Sequence, residues 1–114
     1  MLKQLAGIDR FHLQRLEHLL SLLQATSEAD GSMLDRTIVL YGSGMNSGEG
    51  GEHSPKNLPT LVAGGKALGL RHGRHLAFDP EDHPPLSNLL LRLIQAMKVE
   101  LPSFGDSTEP LSGV

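Results

Sequence analysis

Apolar residues recur at helical spacing from the first turn of the chain. Leu2, Leu5, Ile8, Phe11, Leu16, Leu19, Leu20 and Leu23 fall to one side, with Lys3, Arg10, Gln14 and Glu17 on the other. That period predicts an amphipathic helix over 2–24. His12 falls near the middle of the apolar face, where it reads as a core histidine with one satisfied hydrogen bond rather than a ligand. Ala29-Asp30-Gly31-Ser32 is turn chemistry that closes the connection. Thr37–Tyr41 is then short, β-branched and apolar, the pattern of a strand buried in a parallel sheet. A polar, glycine-rich loop covers 42–57. Leu58–Ala63 predicts a second strand, with Pro59 near its start, where a missing N–H is tolerated. His75–Phe78 suggests a third, short strand. Asp79–Pro85 is a turn region. Leu86, Leu89, Leu90, Leu93, Ile94 and Met97 set the period of a second helix, with Pro84 and Pro85 in its first turn and Asp82 as cap.

The order helix, strand, loop, strand, optional strand, helix predicts an α/β fold, a partial layered sandwich. Two or three strands and two helices cannot cover both faces of a parallel sheet, and parallel strands need that cover. The chain is therefore expected to be a single partial domain over 1–114, part of a larger sheet or paired with another copy. Residues 103–114 are polar and are expected to form a surface tail.

Composition narrows this further. The 114 residues suffice for one small domain. With 4% aromatics and no Trp, leucine must fill the core. The formal charge is −3 and no Lys/Arg cluster forms a patch, so nucleic acid is not an expected partner. No cysteine is present, which excludes disulfides, thiolate metal sites and Cys nucleophiles. No apolar run approaches the roughly 20 residues of a membrane span, so no membrane partner is expected. Charged and polar residues interrupt the first twenty positions, so no signal peptide is read there.

Candidate chemistry concentrates in the loop after the first strand, where α/β proteins place their functional groups. His53 lies there with Glu49, Glu52 and Asn57, and a neutral imidazole beside carboxylates suits zinc or a similar divalent ion. One histidine is not a site, and the other ligands must come from elsewhere. Ser43, Asn46, Glu52 and Asn57 are the candidate ligand-binding residues, with His53 as the candidate metal ligand. Gly42-Ser43-Gly44 lacks the spacing of a dinucleotide loop, and neither it nor Gly64-Gly65-Lys66 completes a P-loop. Both read as glycine-rich turns at strand ends. His72-Gly73-Arg74-His75 reads as an exposed basic turn. No nucleophile elbow surrounds Ser43 or Ser47, so no catalytic residue is assigned.

Several short segments together resemble a known family. Ile8-Asp9-Arg10-Phe11-His12, Asp30-Gly31-Ser32-Met33-Leu34-Asp35 and Tyr41-Gly42-Ser43-Gly44-Met45 are followed by His53 with Asn57-Leu58-Pro59. Ala63-Gly64-Gly65, Gly73-Arg74-His75, Pro85-Leu86-Ser87-Asn88-Leu89 and Phe104-Gly105-Asp106-Ser107-Thr108 continue the series. In this order they resemble the C-terminal part of an uncharacterised bacterial family named for its HXXSHH motif. The family is in turn distantly similar to the alkaline phosphatase and sulfatase superfamily, in which a late histidine ligand precedes a short strand and a C-terminal helix. His53 is similar in placement to that histidine. Gly42-Ser43 stands where the superfamily has an Asp-His metal pair.

The resemblance implies an alkaline-phosphatase-like C-terminal portion of a longer, exported protein. The HXXSHH motif itself would lie upstream of Met1. His53 is then expected to join upstream histidines around a divalent metal or an anionic ligand, for hydrolysis of a phosphate or sulfate ester. The chain by itself is expected to be inactive, and its partners to be the preceding portion of the same protein or a second copy. The other expectation is a non-catalytic binding or scaffold protein that keeps the fold without a metal centre.

Overall fold

The computed structural model describes residues 2–45, 57–79 and 81–114. Helix α1 runs Leu2–Ala25, one residue beyond the expected end. Its sequence holds no proline, and good helix formers (Leu, Gln, Arg, Glu) fill it. It stops where Thr26 turns its side chain back, with Oγ1 donating to the Leu22 carbonyl at 2.8 Å.

A two-residue hairpin follows. Strands β1 (Ser27–Glu28) and β2 (Gly31–Ser32) pair antiparallel about Ala29 and Asp30. Ser32 then caps a 3-10 turn over Met33–Arg36. Its backbone N–H and its hydroxyl both donate to Asp35 Oδ2 at 2.8 Å, and its Oγ accepts from the Asp35 N–H at 3.3 Å. This reciprocal capping satisfies two donors that the turn leaves unpaired.

Strand β3 (Ile38–Gly42) and strand β4 (Thr60–Gly64) form the second sheet. Here the parallel expectation is corrected. The two strands run antiparallel, with Ile38 opposite Gly64, Leu40 opposite Val62 and Gly42 opposite Thr60. A parallel pair needs a crossover, most often a helix, whereas this connection holds only polar loop sequence. β4 also starts later than expected. Pro59 has no N–H to give the ladder, and its carbonyl accepts instead from the Ser43 N–H at 3.3 Å.

After β4 the chain turns through Gly64 and Gly65, both at positive φ. A Cβ at Gly64 would overlap the carbonyl oxygens of Thr37 and Leu34, so only glycine fits there. A 3-10 turn over Lys66–Leu68 leads to buried Leu70. The expected strand at His75–Phe78 does not form; beyond those residues Asp79 and Asp82 make an isolated bridge. Helix α2 covers Leu86–Ala96. Pro85 is its N-cap, and no side chain caps it, so the expected role of Asp82 is corrected. Pro84 and Pro85 separate Asp82 from the first turn.

The core lies between α2 and one face of the β3–β4 hairpin. Leu70, Leu89, Leu93 and Ala96 form its buried cluster, with Ile38, Val62, Leu68, Leu111 and Val114 packed against it. The molecule is mixed α/β, with one helix on one face of a two-stranded sheet. Residues 103–114, mostly exposed, return to α2. Ser87 donates to Asp106, the Asn88 amide donates to Thr108 Oγ1 at 3.2 Å, and Thr108 N–H donates to Asn88 Oδ1 at 2.9 Å. Leu111 N–H donates to the Asn88 carbonyl at 2.9 Å.

Helix α1 stands apart from this core. It packs chiefly on β2 and the Met33–Arg36 turn, through half-buried Leu16, Leu20 and Leu23. Every residue from Lys3 to Arg15 is exposed. The radius of gyration, 15.9 Å, exceeds the roughly 13 Å usual for a chain of this length, as a projecting helix requires.

Candidate functional site

The β3–β4 hairpin fixes where the candidate loop begins and ends. Gly42 pairs with Thr60, so both strands finish at the same edge of the molecule. Ser43 follows β3 directly and Asn57 precedes β4, which brings both candidates to that end. Ser43 is exposed and closes a local turn: its hydroxyl donates to the Met45 carbonyl at 2.7 Å and accepts from the Met45 N–H at 3.3 Å. Asn57 adopts φ 50°, a left-handed conformation that asparagine tolerates better than most residues. Asn46, Glu49, Glu52 and His53 lie between these two, outside the described residues.

The described residues do not build a metal centre. Among them no three His, Asp or Glu side chains gather closely enough to hold an ion. His72 is turned to the backbone, with Nε2 2.5 Å from the Gly64 carbonyl oxygen, a contact that places a proton on that nitrogen. The same nitrogen therefore cannot ligate a metal while the contact lasts. His75 is exposed in the turn beyond Gly73. Among the described residues, every buried side-chain nitrogen and oxygen has a partner, so no polar atom waits for a ligand.

Two carboxylates have perturbed acidities, and both serve the fold. The Ser32 N–H and hydroxyl hold Asp35 below the usual carboxylate value. The Arg36 guanidinium, 2.6 Å away, does the same for Asp30. Both lie by the β1–β2 hairpin rather than the candidate loop.

The surface feature that sets this molecule apart is α1. His12 is exposed, not in a core, with its ring edge-on to Phe11 at 5.9 Å. The helix projects beyond the elements that would bury it. Arg15 lies over the Phe11 ring at 5.3 Å. Leu5, Ile8 and Phe11 are 51%, 53% and 55% exposed. Along the other flank, Leu13, Leu16, Leu20 and Leu34 line an open apolar groove of about 580 Å³.

The sequence carried a signal for this. At 100° per residue the apolar positions of α1 span about 200° of the helix, twice the stripe that one packing face needs. A single neighbouring element covers only part of such an arc. No helix among the described residues is long and apolar enough to cross a membrane. Comparison with protein-family models, with curated proteins and with solved structures gave no match to this chain.

Proposed function

We infer that this chain works by binding rather than by chemistry of its own, as a non-catalytic binding or scaffold element whose docking face is α1. The exposure of Leu5, Ile8 and Phe11 on a projecting helix carries this reading. Exposed apolar residues contiguous along one element mark interaction surfaces, whereas scattered ones do not. An apolar fluorescent dye is expected to bind the protein, and Ile8→Glu with Phe11→Glu to reduce the signal several-fold while far-UV circular dichroism is unchanged. A signal equal in both proteins would count against α1 as the docking face.

A second reading follows from the resemblance to the HXXSHH family and its distant likeness to alkaline phosphatases and sulfatases. In it His53 is one ligand of a divalent metal or anion in a longer, exported ester hydrolase, and this portion alone is inactive. The pairing of Gly42 with Thr60 supports it, since that pairing anchors both ends of the loop that carries His53. In this reading the remaining ligands come from Glu49 and Glu52 of the same loop or from a preceding portion of the protein. Metal content of a longer form is the test; a value unchanged by His53→Ala removes the ligand role.

A further inference from the structure

We draw no further inference here: the strongest candidate, the exposed apolar face of α1 that carries Leu5, Ile8 and Phe11, belongs to the docking role already given to that helix, and nothing in the structure shows what covers it.

Discussion

Asp35 shows how one side chain sets the behaviour of its neighbourhood. Its carboxylate accepts from Ser32 twice, and those bonds favour the charged form. Its acidity in the folded chain is therefore below that of the unfolded chain. Stability from this group is fully present above the unfolded value, near pH 4, and is lost as pH falls through the lower folded value. The Asp30–Arg36 pair acts in the same direction, over the same acid range. Urea unfolding followed from pH 6 to pH 2 should show the midpoint falling at the acid end. Asp35→Asn should lower the midpoint at pH 6 and flatten the acid decline. A decline of equal steepness in the variant would place the acid sensitivity elsewhere. Gly31 belongs to the same arrangement, since a Cβ there would come within 2.8 Å of Asp35 Oδ2.

At the scale of elements, α2 and the segment after it depend on each other. Asn88 is 2% exposed and holds Thr108 through both ends of its amide. Removing that amide breaks both of its bonds to exposed Thr108 and empties a buried position, at a cost of about 2 kcal/mol. Asn88→Ala should lower the melting temperature by roughly 10 °C. A shift under about 2 °C by calorimetry would mean that water replaces those bonds. The sequence showed α2 through its leucine period, and the same period hid Ser87 and Asn88. Their roles do not show in it, because their partners lie 19 and 20 positions away. Strand direction was hidden for a similar reason. Ile38, Val39 and Leu40 look alike in a parallel or antiparallel ladder, and only the path of the loop decides. Both helices and the two longer strands were legible because each follows from local periodicity. Of the candidate site, Ser43 and Asn57 lie at one end of the hairpin, which follows from the pairing of Gly42 with Thr60.

The whole molecule is a small helix-on-hairpin core with a long helix set outside it. One face of the hairpin meets α2 through Ile38 and Val62. By alternation, Val39, Tyr41, Leu61 and Ala63 form the opposite face, where α1 does not provide the main cover. Leu40 and Leu61 remain 44% and 52% exposed. Among the described residues no third strand pairs with β3 or β4, so each strand keeps an unpaired edge. Thr37-Ile38-Val39-Leu40-Tyr41 is uncharged, free of proline and rich in β-branched side chains. An open edge of that composition is a template for intermolecular strand addition. Heating near the melting point should therefore yield thioflavin-positive aggregates, and Leu40→Lys should lengthen their lag time several-fold. Equal lag times would locate the aggregating segment elsewhere. The exposed edge of β3 thus gives the protein a second fate besides folding. Any condition that loosens α2 from the hairpin bares the Ile38–Val62 face behind that edge, and the solubility of the chain is then set by how long that face stays covered.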